Sequence, residues 1–338
     1  MRAVRLEAEG ELRVREVEER APAARELVVR VEACGICGTD RHILRGEYPA
    51  HLPVTLGHEF AGDVVATGAE AAHPVGTRIA VDPNIACGSC RECRRGDVCL
   101  CPRRVALGVD LDGGLAEYAV VPASQAYPLP PDVPAEWGAL CEPLACCLRG
   151  LDLAGIRPGM SVAILGGGVI GQLMVQLARL AGAVTIILAT RQAGRRALAE
   201  SLGATATVDP RAADVVAAVA GPGGLAPGGV DVALECAGAV ETFEQAVALA
   251  RRGGTVLVFG VAPQGAQARI SPFDIFAREL RIVGSYLNPL THGRAVELVA
   301  SGRLALAPLV TRRLALEELP PALTAPPEPG EVKAMVMT

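Results

Sequence analysis

Four cysteines, Cys87, Cys90, Cys93 and Cys101, recur at spacings of three, three and eight within one polar loop that also holds Gly88, Ser89 and Gly96. Four thiolates so spaced close a tetrahedron around zinc and leave no open position, so the set predicts a structural ion whose binding energy folds a loop without a core. Cys99 lies in the same loop and offers a competing sulfur. A second group is mixed in type: Cys37, in Cys37-Gly38-Thr39-Asp40, is followed twenty-one residues later by His58, in Gly57-His58-Glu59. Thiolate, imidazole and carboxylate are the ligands zinc takes when one position stays open for water or a substrate oxygen. Glu142, in Cys141-Glu142-Pro143-Leu144, stands where the pattern of the chain changes and a cleft would form. Taken singly, a cysteine is a small buried hydrophobe and a histidine a satisfied polar group; only the set points to a metal.

Gly166-Gly167-Gly168-Val169-Ile170-Gly171 fits G-x-G-x-x-G, with the strand-like Ser161 to Leu165 before it and an apolar helical stretch from about Val169 to Ala181 after it. In that context the glycines admit a pyrophosphate to a helix N-terminus. Nineteen positions beyond Gly171, where an acid would bond the ribose of NAD, stands Thr190, followed by Arg191, Arg195 and Arg196. A missing carboxylate and added guanidinium groups suit a 2′-phosphate, so NADP is expected, with NAD the alternative. The competing reading is that these arginines coat a solvated helix start.

These groups need elements to hold them. Up to about Pro131, short β-like runs (Leu27 to Ala33, Gly62 to Thr67, Arg78 to Val81, Leu115 to Val121) alternate with Gly-, Pro- and Cys-rich loops, which predicts a β-rich domain. From about Leu144 the rhythm becomes strand and helix. Ser161 to Leu165, Thr185 to Ala189, Ala204 to Val208, Val230 to Glu235, Gly254 to Phe259 and Arg281 to Ser285 predict a doubly wound parallel sheet of Rossmann type. The tail, helix-like at Arg294 to Ser301 and β-prone at Val332 to Met337, is too small to fold alone and is expected to return to the first domain. The domains are thus 1–145 with 286–338, and 146–285.

The 338 residues are 51% hydrophobic and 20% charged with a formal charge of −5, which gives no basic field for nucleic acid. A zinc finger binding nucleic acid lacks the paired histidines and basic domain it needs. Residues 161 to 190 carry one charge, Arg179, but the glycines break that run into two short elements rather than a membrane span. Eleven cysteines without an apolar leader at MRAVRLEAEG point to a reducing cytoplasm and not to a disulfide framework. Lys333, the only lysine, is put down to composition, and His51, His73 and His292 to polar loops.

Together the motifs resemble the zinc-containing medium-chain alcohol dehydrogenases, in the sorbitol and threonine (polyol-type) branch with GHE and EP motifs, along essentially the whole chain. The resemblance implies a GroES-like catalytic domain beside the Rossmann domain. It makes Cys37 and His58 ligands of a catalytic zinc, Glu59 the third or an exchanging ligand, and Glu142 a ligand directly or through water. It favours Cys101 over Cys99 in the structural set near 87–101. It implies hydride transfer between a secondary alcohol, of polyol type, and NADP or NAD, with zinc polarising the hydroxyl and Thr39 and His42 relaying the proton. Tyr48, Leu56 and Leu287 are expected to line the substrate cleft. Leu287-Asn288, aligned with the Arg-Tyr pair of sorbitol dehydrogenases, argues against sorbitol itself. A homodimer or homotetramer is implied. A threonine-type amino-alcohol dehydrogenase and a catalytically silent zinc-stabilised binding protein are the alternatives.

Overall fold

Strand Glu26–Gly35 buries Leu27, Val29, Val31 and Ala33 at every second position, the alternation of a strand with one face on a core. It is the longest strand of a computed structural model that describes residues 1–338. The chain forms two units, Met1–Ala145 with Asn288–Thr338, and Cys146–Leu287.

In the first unit Glu26–Gly35 pairs antiparallel with Glu59–Thr67, Tyr118–Pro122 and Lys333–Met337. Lys333–Met337 runs parallel to Val310–Leu314. The chain's last strand is therefore internal to the sheet of its first domain. Register places Glu59 and Met335 on either side of Gly35. A second sheet joins Arg2–Leu6 to Leu12–Glu16 and Val54–Thr55, and the shared core includes Leu6, Leu27, Phe60, Ile79 and Leu115.

The expected strand Gly62 to Thr67 begins earlier, at Glu59, so that residue opens the strand. Helices Ala135–Ala139 and Cys141–Ala154 were not foreseen. Their proline, glycine and cysteine content hides the helical period, and Glu142 falls in the first turn of the second helix.

The return of the chain is anchored by buried polar groups. Asp82 accepts hydrogen bonds from the Asn84 amide and from Asn288 Nδ2, both at 3.1 Å. Asn84 Nδ2 donates to Asn288 Oδ1 at 2.8 Å. Thr291 Oγ1 donates to the Ala145 carbonyl at 2.7 Å. His292 corrects the polar-loop reading: it opens helix His292–Ala300, is fully buried, and lies 4.8 Å from the Tyr127 ring between centroids. Its imidazole packs as an aromatic disc.

The second unit is a six-stranded sheet in the order Ala206–Val208, Thr185–Ala189, Ser161–Leu165, Val230–Glu235, Ala250–Val258, Arg281–Gly284. All neighbours are parallel. Val162 to Leu165 are all buried, as expected of a strand covered on both faces. The strand expected from Gly254 starts at Ala250, after a register shift between Val230 and Val232. The order reverses between Ser161–Leu165 and Val230–Glu235, the switch point at which such sheets open a crevice. No helix is long and apolar enough to cross a membrane.

Burial pushes Asp82 up to about 6 and His292 down to about 3. As pH falls from 6 toward 4 the unfolded chain binds a proton at His292 that the native chain refuses, which lowers stability. The native chain binds one at Asp82 that the unfolded chain refuses, which raises it. The two effects oppose each other. Asp82→Asn removes the compensation, so urea unfolding at pH 6 and pH 4 should show the wild type gaining about 2 kcal/mol on the variant over that interval. An unchanged difference would show that Asp82 titrates normally.

Candidate active site and metal centres

Cys37 caps helix Gly38–Leu44, and Asp40, three residues into it, accepts from the Cys37 backbone amide at 2.8 Å. This turn fixes the thiol and brings Thr39 Oγ1 to 3.6 Å from Cys37 Sγ. Gly57 (φ +97°) turns the other segment beneath it, where any Cβ would meet Leu115 and Cys34. The ligand atoms of Cys37, His58 and Glu59 consequently lie within 4.8 Å of one another.

His58 Nδ1 faces the fully buried Asp40 Oδ1 at 3.4 Å. Burial acts to lower the pKa of His58, yet the charges of Asp40 and Cys37 lift it well above its ordinary value. Neither His58 Nδ1 nor Asp40 Oδ1 completes a hydrogen bond. A buried pocket of negative groups with unpaired polar atoms is what a zinc ion would neutralise, and a carboxylate behind a ligating imidazole is the usual support of such a ligand. The residues present fit the metal.

Lys333 pairs with Glu59 Oε2 and donates to the Ile36 carbonyl at 2.9 Å. Both side chains are buried. They cross directly above Gly35, where a Cβ would lie 2.3 Å from Glu59 Oε2 and 2.7 Å from Lys333 Cε. Burial opposes the charge of Lys333, but Glu59 and Cys37 raise its pKa overall. His42, at helical spacing from Thr39, places Nδ1 2.7 Å from Glu47 Oε2, the carboxylate accepting the ring N–H. Glu142 is buried but stands outside the three-residue cluster. Tyr48 packs half-buried on the core of the first unit, Leu56 is fully buried within it, and Leu287 takes a positive φ of 56°.

The nucleotide loop is shaped by its glycines. Gly166 has φ +117°, and a Cβ on Gly171 would lie 1.9 Å from the Gly166 carbonyl, so no other residue fits that turn. Gly168 caps helix Val169–Leu180, which begins with Val169 and Ile170. Thr190 is buried against Gly167, and Arg191 is exposed. The Arg195 carbonyl accepts from Gln172 Nε2 at 2.8 Å, tying the next helix to the loop.

Residues 23–131 match the alcohol dehydrogenase GroES-like domain and residues 169–301 the zinc-binding dehydrogenase domain. The chain is 34% identical over 300 residues to D-arabinitol dehydrogenase 1 of Uromyces fabae, covering 88% of this chain and 86% of that protein. It is 36% identical over 306 residues to L-threonine 3-dehydrogenase of Pyrococcus abyssi, with 88% and 86% covered. Among solved structures, a protein of Sinorhizobium meliloti, assigned as a zinc-binding dehydrogenase and bound to NADP, superposes with a TM-score of 0.98 at 56% identity over 100% and 99% of the chains. The chain belongs to the zinc-containing medium-chain alcohol dehydrogenase family. It is an oxidoreductase of the polyol-type branch, built from a GroES-like and a Rossmann domain.

Within this family member, sequence reasoning passed over three residues. Asp40 was read only as part of a motif, although its place three residues after a capping cysteine marks it as a helix-start acid. Lys333 was dismissed as composition; a single lysine among 32 basic residues, the other 31 being arginine (32 − 1), was itself the signal. A compact ammonium fits the slot over Gly35 where a guanidinium fork would not. Glu47 had no signal, since its contact with His42 depends on the turn that follows the helix.

The four-cysteine lobe is closed at its base by the pairing of Asn84–Ile85 with Val105–Ala106. Cys87, Cys90, Cys93 and Cys101 bring their sulfurs within 4.8 Å of one another, and Cys99 is buried apart from them. The Ser89 amide draws Cys87 down to about 5. The Cys93 amide pulls on Cys90 too, but desolvation and the adjoining sulfurs push it up to about 12. That crowding is what a dication relieves. Elemental analysis of purified protein should find about two zinc ions per chain, falling to about one in Cys101→Ser and staying unchanged in Cys99→Ser. The reverse pattern would give Cys99 the ligand role.

Proposed function

We propose that this chain oxidises a secondary alcohol of polyol type, with NADP as the hydride acceptor and NAD as the weaker alternative. The observation that carries the reading is the convergence of Cys37, His58 and Glu59, one thiolate, one imidazole and one carboxylate, from a helix start and a strand start. Relatives named for D-arabinitol, D-altritol and sorbitol support the polyol class, and the NADP-bound Sinorhizobium protein supports the cofactor. Thr190 in place of an acid, with Arg191 exposed beside it, supports it independently.

Zinc in this set supplies Lewis acidity to a hydroxyl, and the dinucleotide supplies the hydride acceptor. The chain's residues do the rest. Asp40 faces His58 Nδ1 and leaves the other ring nitrogen for the metal. Lys333 holds one oxygen of Glu59 and leaves the second for the metal. Thr39 offers a hydroxyl beside Cys37 that takes up the substrate's proton, and His42, oriented by Glu47, passes it to solvent. Glu142 is assigned as a ligand through water, since it stands apart from the other three. Tyr48 and Leu287 are assigned to substrate contact.

The identity to L-threonine 3-dehydrogenases keeps an amino alcohol as the second reading. We also assign a homo-oligomer through the Rossmann domain. Its edge strand Arg281–Gly284 is paired on one side only, and Phe273 and Phe276 on helix Pro272–Ala277 are 71% and 78% exposed. Eleven free thiols suit a cytoplasmic setting.

Pentitols, hexitols and threonine should be screened with NADP and NAD, before and after chelation. Turnover of a polyol that chelation abolishes and zinc restores is the expected result. Turnover indifferent to chelation would remove the zinc, preference for threonine would move the substrate class, and no turnover of any alcohol would favour a silent binding protein.

A further inference from the structure

Three segments of the second unit meet at Thr190. The glycine turn presses on it from one side, since a Cβ on Gly167 would lie 2.7 Å from Thr190 Cγ2. The turn after strand Ala206–Val208 supplies Asp209 from the other. Arg196 Nη1 donates to the Thr190 carbonyl at 2.7 Å and pairs with Asp209 Oδ2 at 3.0 Å. With only 19% of its side chain exposed, Arg196 is committed to holding the two strand ends together.

Arg211 is placed differently. Its Nε lies 3.3 Å from Asp209 Oδ1 and its Nη2 3.2 Å from Asp209 Oδ2, a two-pronged grip, and the same Nη2 donates to the Arg191 carbonyl. Its side chain is 65% exposed. Hydrogen bonds from the Arg211 side chain and backbone, with the charge of Arg196 behind them, hold Asp209 down to about 2. One carboxylate thus stands between two guanidinium groups. A net positive charge remains at the rim, and Arg191 adds to it.

We propose that Arg211 is the second arm of the grip on the 2′-phosphate of the dinucleotide, opposite Arg191, with Asp209 holding it ready until the phosphate arrives. This rests on the NADP reading above and adds a specificity-determining residue that the G-x-G-x-x-G motif and the Thr190 position do not reveal. Binding exchanges one anion for another in the same planar fork, so most of the ordering of the guanidinium is done beforehand. Asp209 does not become an unpaired charge when Arg211 moves, because Arg196 stays on it. A carboxylate that lacked Arg196 would repel the phosphate instead.

The test uses 2′,5′-ADP and 5′-AMP as probes, titrated calorimetrically into the full-length wild type, Arg211→Ala and Arg191→Ala, with thermal unfolding as a check on folding. The wild type should bind 2′,5′-ADP more tightly than 5′-AMP. Arg211→Ala should weaken 2′,5′-ADP by about tenfold or more, the size expected for a lost charge-assisted hydrogen bond. It should move 5′-AMP by less than about twofold, because an exposed charge contributes little to a ribose without phosphate. An equal loss for both probes, or no loss for either while Arg191→Ala still discriminates, would overturn the role of Arg211 and leave the NADP reading standing. A wild type that does not distinguish the two probes would overturn the NADP reading, and the proposal with it.

Discussion

The buried pair between Lys333 and Glu59 is the contact on which the arrangement of the catalytic unit turns. It joins the last strand of the chain to the strand that carries the GHE carboxylate, and it crosses the one position of the central strand, Gly35, that has no side chain to obstruct it. Removing either partner would leave an uncompensated charge at the centre of the sheet, a loss of roughly 3–5 kcal/mol. The pair therefore makes the ligand cluster and the return of the chain a single requirement. It also holds the Glu59 carboxylate fixed beside Cys37 and His58.

Around that contact the two metal-binding arrangements are built on opposite principles. The Cys37, His58 and Glu59 set is assembled by long-range strand register, with Asp40 and Lys333 behind it, and its geometry exists because the sheet does. The four-cysteine lobe buries little besides Cys99 and Cys101, and its sulfurs crowd one another. The first set keeps ligand types that leave a position open; the second closes. The Rossmann unit uses a third means, backbone approach, in which Gly166 and Gly171 touch where a single methyl group would not fit.

The sequence made the alternation of strands and helices, the presence of a doubly wound parallel sheet and the chemistry-bearing motifs legible, because period and glycine placement are local, whereas the strand order came only from the structure. Glu142 in a helix, His292 as a core ring and Lys333 as an internal ion partner were not legible. The helix that carries Glu142 is masked by its local composition, whereas His292 and Lys333 depend on packing against residues far apart in the sequence. Arg196 shows the same limit. Its spacing from Thr190 suggested phosphate binding, but Asp209, thirteen residues on, engages it in the fold.

The proposed function requires zinc to bind Cys37, His58 and Glu59 while Lys333 keeps its hold on Glu59. A crystal structure phased at the zinc edge tests this directly. Two anomalous peaks per chain are expected, one among the four sulfurs and one bonded to Cys37, His58 and a single oxygen of Glu59, with Lys333 on the other oxygen. A second peak bound without Cys37, or a zinc-bound Glu59 from which Lys333 has turned away, would contradict it.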